Sequence, residues 1–455
     1  MGASEELGSA LAEVLGAREV SAVERLSGGA SRETWAFEAE LDGTARRLIL
    51  QRERPGGLRE GGMGIEAAVL RAAGAAGVPV PSVIACDDGR GGGPLGPAYL
   101  VVERLEGESI ARRILREDAL AEARLVLARQ CGAALAGIHA IDLAEVPGLE
   151  DVDQLDRYRQ VLDDLAQPHP AFELAFRWLA DHRPSGTGRT VVHGDFRNGN
   201  LLVSPCGLVA VLDWELAHLG DPLEDLGWLC VRSWRFGATP RVGGFGTVDD
   251  LVAAYEAASS TQVDRAALHW WELLGTLKWG IMCVAQAETH RLGVVRSVEL
   301  AAIGRRVCEV EHDVLLLLAG PGGSPAPVDE HRVDVGGVEA VAAPHDVPSA
   351  TELLEAVQEF LTGDVMAVTE GRVRFHARVA ANVVAIVARE LEVGPAQAQH
   401  HARRLLVLGV ADDAELAQRI RTGDLDERWD EVVVAVGDVV ADKLAVANPS
   451  YSGER

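Results

Sequence analysis

The chain has 455 residues, 48% of them hydrophobic, and a formal net charge of -26. Such a length and apolar share predict a globular protein of two or three domains, not a disordered or fibrous one. The acidic surplus argues against sequence-independent binding to nucleic acid or anionic lipid, so neither is expected as a partner. Six scattered cysteines with no C-x-x-C pair exclude a zinc ribbon and speak against a disulfide framework. The acidic start MGASEELGSALAEVL lacks the basic-then-apolar order of a signal peptide, and runs such as Val314 to Ala319 are too short to span a bilayer. A cytoplasmic protein is expected.

Residues 1–105 read as mixed α/β. A short helix leads to LSGGASRETWAFEAE, a turn followed by apolar alternation through Trp35 and Phe37. Next come the strand RRLILQRE, the loop RPGGLREGGM and a helix over residues 65–76. GVPVPSVIACDD and AYLVVERLEG add two strands around the Gly-rich turn RGGGPLG. Residues 106–320 are mainly helical, interrupted by a β-prone stretch at 191–222. Residues 321–348, rich in Pro, Gly and Ala, read as a linker. Residues 349–455 then form an all-α unit. There Arg374, Arg378 and Asn382 make a polar stripe and Phe375, Val379, Val383 and Ile386 an apolar one. The polar stripe is either a solvated face or a surface for an anionic ligand or a protein partner.

The stretch VVHGDFRNGNLLVSPCGLVAVLDWELAHLGDP carries the chemistry. Asp195 follows a β-prone run, on a loop where a carboxylate can accept or orient a hydroxyl proton. LLVSPCGLVAVLD reads as a hairpin turning at Pro205, Cys206 and Gly207, which returns Asp213 to the neighbourhood of Asn200. Two oxygen donors converging with room for phosphate is how Mg²⁺ is commonly held. Asp and Asn also make turn and capping contacts, as Asp221 does ahead of Pro222.

H-G-D-F-R-N-G-N and V-L-D-W-E together resemble the catalytic core of the aminoglycoside phosphotransferase (choline kinase-like) family, which has a protein-kinase-like fold. ELAHLGDPLEDLGWL is similar to kinase domains associated with acyl-CoA dehydrogenases. The C-terminal helices resemble a domain of uncharacterised function that accompanies such kinases. The resemblance implies an α+β, bilobal fold: a nucleotide-binding N-lobe of antiparallel sheet plus helix, a mainly helical C-lobe, and a separate all-α domain. It makes Asp195 the catalytic base, Asn200 and Asp213 the Mg²⁺ ligands, and His193 and Asp225 braces of the catalytic loop. Glu215 stands beside the metal carboxylate.

For the nucleotide, the resemblance implies a phosphate-covering loop at Ser27, Gly28, Gly29 and Ser31, without the full G-x-G-x-x-G spacing. LILQRE has no lysine, so Arg52 or Gln51 fills the basic position, with Arg52 favoured and Glu66 as its partner. The backbone of Val102, Glu103 and Arg104 would receive the base of ATP, with GTP as the alternative. His139 reads as a packing residue. Trp228, Trp234, Trp270, Trp271 and Trp279, near His269, Lys278, Glu288 and His290, either line an acceptor site or fill helix interfaces. The expected activity is phosphorylation of a small-molecule hydroxyl, on a hydroxyacyl compound or its CoA thioester. The alternatives are an aminoglycoside or amino alcohol as acceptor, or a silent nucleotide-binding scaffold.

Overall fold

The computed structural model describes residues 3–26, 32–53, 62–89, 92–186, 188–320 and 348–451. Ser27, Gly28, Gly29 and Ser31 lie outside the described residues, as does the expected linker except for its last residue. The chain divides into two compact units, Met1–Asp153 with Pro184–Glu272, and Gln154–Arg183 with Leu273–Arg455.

The first unit opens with α1 (Ala3–Leu15), β1 (Val20–Arg25), β2 (Arg32–Leu41), β3 (Thr44–Glu53), α2 (Gly62–Ala75), β4 (Val83–Asp87) and β5 (Tyr99–Glu103). The strands form one antiparallel sheet in the order β1-β2-β3-β5-β4. Successive strand side chains point to opposite faces, and here both faces are covered. Phe37, Leu48, Leu50 and Val101 pack with Leu7 and Leu11 of α1. Ile49, Leu100 and Val102 pack on the other side with Met63, Ala67 and Leu70 of α2. Each such Leu buried contributes about 1.5–3 kcal/mol.

The chain continues through α3 (Ala111–Arg116) and α4 (Ala121–His139), and α5 (Gln154–Leu165) and α6 (Pro170–Asp181) then join the second unit. The first unit resumes with β6 (Thr190–Val192), β7 (Leu201–Ser204), β8 (Gly207–Val211), β9 (His218–Gly220), α7 (Leu223–Cys230) and α8 (Val248–Ser259). β7 and β8 form a hairpin, and β6 pairs with β9. Leu127, Cys131, Leu135 and Ile138 recur along one side of α4 at helical spacing and enter the core. α9 (Arg265–Arg291) begins in the first unit and ends in the second.

The second unit adds α10 (Val298–Arg305), α11 (Val307–Leu318), α12 (Ala350–Glu359), α13 (Met366–Val368), α14 (Gly371–Leu408), α15 (Asp413–Thr422) and α16 (Trp429–Ala447). Val432, Val436, Val440 and Leu444 stripe α16 every fourth residue and share a core with Leu405, Ile420, Cys308 and Leu174. The C-terminal helices therefore do not bury their apolar faces among themselves alone; α6 and α11 complete their core. α12 starts at a capping box between Ser349 and Glu352. On α14, Arg374, Arg378 and Asn382 are exposed; of the expected apolar stripe Ile386 is buried and Val379 and Val383 are half-buried, but Phe375 is exposed. Ala377, Ala381, Leu405 and Leu408 are the other buried positions, so small alanines carry part of the packing at the start of the helix. Among the described residues no helix is long and apolar enough to cross a membrane.

Candidate active site

The loop His193–Asn200 links β6 to β7. It runs so close to Leu216 that a Cβ on Gly194 would lie 2.4 Å from the Leu216 carbonyl oxygen, and Gly194 has φ +77°. Only glycine takes that backbone shape without strain. Asp225, fully buried on α7, accepts hydrogen bonds from the backbone N–H of His193 (2.8 Å) and Gly194 (2.9 Å). Its third partner is His139 Nε2 at 3.2 Å. A carboxylate accepts, so His139 carries its proton on Nε2 and takes the Tyr255 hydroxyl at Nδ1, 2.9 Å away. Burial opposes the charge on Asp225, but His139, His193 and the backbone donors hold its carboxyl below the usual range. His139, expected as packing, is therefore a polar member of the brace. Nothing in its own helix signals this, since its partners lie 86 and 116 residues away.

His193 is held as a neutral ring. Its Nδ1 accepts the Asp195 N–H (3.2 Å), so Nε2 donates to the Leu212 carbonyl (3.1 Å). Burial pushes its pKa down, against the pull of Asp225 and Asp195. This ring ties the His193–Asn200 loop to the residue before Asp213.

Asp195 is fixed by three donors. Oδ1 accepts from Arg197 Nε and Trp228 Nε1, each at 2.9 Å, and Oδ2 from Asn200 Nδ2 at 2.6 Å. Arg197 in turn lies 4.6 Å over the Trp234 ring, and Trp228 and Trp234 are 5.1 Å apart. Asn198 Nδ2 binds the Gly243 carbonyl at 2.7 Å, anchoring the middle of the loop. Trp228 and Trp234 thus stand beside Asp195, while Trp270 and Trp271 make an edge-to-face pair on α9. Trp279, Lys278, Glu288 and His290 fall in the second unit.

The hairpin closes through Pro205 and Cys206, with Ser204 opposite Gly207. At its open end the Leu212 N–H donates to the Asn200 carbonyl at 2.8 Å, which sets Asp213 next to Asn200. Asp213 has φ +65°, a left-handed conformation uncommon for a residue with a side chain. Burial, then repulsion from Glu215, Asp195 and Glu66, pushes its pKa up to about 7 against the opposing effect of Arg32. Asp221 Oδ1 accepts the Leu223 N–H at 2.9 Å at the start of α7.

The nucleotide side departs from expectation. β3 alternation places Leu48, Leu50 and Arg52 on the α1 side, and Ile49 and Gln51 on the α2 side. Arg52 therefore pairs with Glu33 across the sheet (2.7 Å), not with Glu66. Glu66 on α2 instead binds Arg32 of β2 at 2.6 Å. Arg32 also lies 3.7 Å from Glu215. Val102 is buried in β5, and the N–H groups of Glu103 and Arg104 donate to Ser82 (2.9 Å) and Arg47 (2.8 Å) carbonyls. Those two amides are spent within the sheet, so backbone donors for a base would have to lie beyond Arg104. Arg32 and Arg197 are the residues that sequence reasoning missed, and His139 is the one to which it gave only packing. The R-E-T-W alternation was the available signal for Arg32, since it shares the Ala36 face.

Residues 22–271 match the model of the Phosphotransferase enzyme family, more than half of the chain. The chain belongs to that family. Residues 367–451 match a domain of unknown function, DUF6285. Acyl-CoA dehydrogenase family member 10 of Mus musculus is 32% identical over 45% of this chain and 20% of its own length. Probable acyl-CoA dehydrogenase IBR3 of Arabidopsis thaliana is 31% identical over 46% of this chain and 28% of its own. The chain thus spans between a fifth and about a quarter of these relatives. A Ralstonia eutropha structure described as an aminoglycoside phosphotransferase superposes with a TM-score of 0.52 at 19% identity, over 68% of this chain and 95% of that one. That likeness carries the fold: a kinase-like arrangement with an N-terminal antiparallel sheet.

Proposed function

We propose that this phosphotransferase-family chain moves the terminal phosphoryl group of ATP to a hydroxyl of a small molecule, with Mg²⁺, GTP being the alternative donor. The observation that carries this reading is the Asp195 carboxylate, held by three donors beside Asn200 and the strained Asp213. Asp195 receives or orients the acceptor proton, and Arg197, Trp228 and Asn200 hold it in place. Phosphoryl transfer through a loose transition state needs positioning more than proton removal, which suits a carboxylate fixed this firmly. His193 and Asp225 keep the loop and the hairpin end in register.

The donor set fits Mg²⁺. Asn200 offers an amide oxygen and Asp213 a carboxylate, both hard donors. The crowding of Asp213 by Glu215, Asp195 and Glu66 makes added positive charge favourable there. Bound Mg²⁺ would neutralise charge on the phosphate oxygens.

Relatives named as acyl-CoA dehydrogenases support a hydroxyacyl compound or its CoA thioester as acceptor. An aminoglycoside or other amino alcohol is the competing class. The test is ADP release by the full chain with ATP, Mg²⁺ and a library of hydroxylated metabolites. Acceptor-dependent release, lost on chelation, is the expected result. Nucleotide binding with no phosphorylated product from any acceptor would favour a scaffold instead.

A further inference from the structure

The cation that faces α2 from the sheet does not come from β3. Gln51 stands on that face opposite Thr34, and Arg52 points to the other, where Glu33 and the Leu95 carbonyl receive it. Arg32 of β2 shares the Ala36 and Gln51 face and is only 9% exposed. Its Nη1 is 2.6 Å from Glu66 Oε2, and its Nη2 is 3.7 Å from Glu215 Oε2. The guanidinium therefore joins α2 to the segment that carries Asp213. A buried cation held between two carboxylates is oriented, and a guanidinium offers five N–H donors in a planar fork that matches phosphate oxygens.

We propose that Arg32, held by Glu66 and Glu215, is the residue that binds the nucleotide phosphates in this chain, in place of a basic residue on β3. The assignment rests on the ATP reading above. Arg32 draws the phosphates toward the carboxylates that face the transferring group, while Glu66 and Glu215 prevent the guanidinium from collapsing onto Asp213. Gln51 keeps the same face polar but contributes no charge.

The test is binding of Mg-ATP and of adenosine to the full chain by titration calorimetry, which reads affinity without turnover. Arg32→Gln should weaken ATP roughly 10- to 100-fold, the loss of charge-assisted hydrogen bonds, and leave adenosine within about twofold. Arg52→Gln should leave both within about twofold. Arg32 is buried, so its loss could simply loosen the sheet. The double variant Arg32→Gln with Gln51→Lys separates the two cases, because a lysine restored to the same face should recover most of the ATP affinity but would not repair packing. Wild-type ATP binding that survives Arg32→Gln overturns the assignment alone. Equal loss of ATP and adenosine, or no rescue by Gln51→Lys, also overturns it. A wild-type chain that binds no Mg-ATP overturns the functional reading and this assignment with it.

Discussion

The second unit and the Asp195–Asp213 region of the first bury charge differently. In the second unit Glu311 meets Lys443 (3.0 Å), Glu173 meets Arg159 (2.8 Å) and Arg421 (2.8 Å), Glu309 meets Arg306 (2.8 Å), and Asp313 accepts the Tyr451 hydroxyl (2.7 Å). Burial alone would raise Glu311, yet Lys443 and His169 hold it down to about 2. In the first unit burial and the carboxylates of Glu215, Asp195 and Glu66 act on Asp213 against the opposing Arg32, and Asp213 is pushed up to about 7. Matched charge holds helices together. Surplus negative charge, held in place by its own braces, is what the proposed Mg²⁺ would offset.

The comparison can be broken by mutation. The largest effect on stability is expected at Glu311→Gln, which removes the buried carboxylate that Lys443 and His169 both bind and should cost about 3 kcal/mol in chemical denaturation. For the same reason wild-type stability should fall with acid. Glu311 has a folded pKa near 2 against an ordinary value of 4.5, so its contribution is complete above pH 4.5 and is lost as the pH drops from there toward 2. A Glu311→Gln chain whose acid limb matches that of wild type would break this half of the comparison.

His139→Gln probes a buried, hydrogen-bonded carboxylate inside the first unit. Losing a bond to buried Asp225 should cost about 1–3 kcal/mol and lower kcat while leaving the nucleotide KM in place. A change in nucleotide KM with no change in kcat would contradict the bracing role. Asp213→Asn should act in the other direction. By removing one of several crowded carboxylates it should stabilise the metal-free chain by on the order of 1 kcal/mol at pH 8, although turnover is lost. Destabilisation by Asp213→Asn would mean that the cluster is structural. The smallest effect is expected at Arg378→Ala on the exposed side of α14, within about 0.5 kcal/mol by thermal melting.

How much could be read from the sequence follows from the range of each contact. Asp195 and Asn200 are five residues apart, and a turn signal at Pro205 to Gly207 is enough to bring Asp213 back to them. Four strands of the N-terminal sheet and the helix after β3 were likewise visible in local apolar periodicity, whereas β1 and the order of the strands were not. The basic position was not. Period-2 alternation separates Arg52 from Gln51 but does not say which face meets α2, because both faces of this sheet are apolar. His139 and Phe375 failed for a related reason: partners far along the chain, or small alanines elsewhere on the helix, decide what is buried.

The measurement that tests the account most directly is Asp195→Ala in the full chain, with acceptor-dependent ADP release and Mg-ATP affinity followed together. The account predicts release reduced by about 10²- to 10⁴-fold, with affinity for Mg-ATP kept within a few-fold. Full release from the Asp195→Ala chain would contradict it.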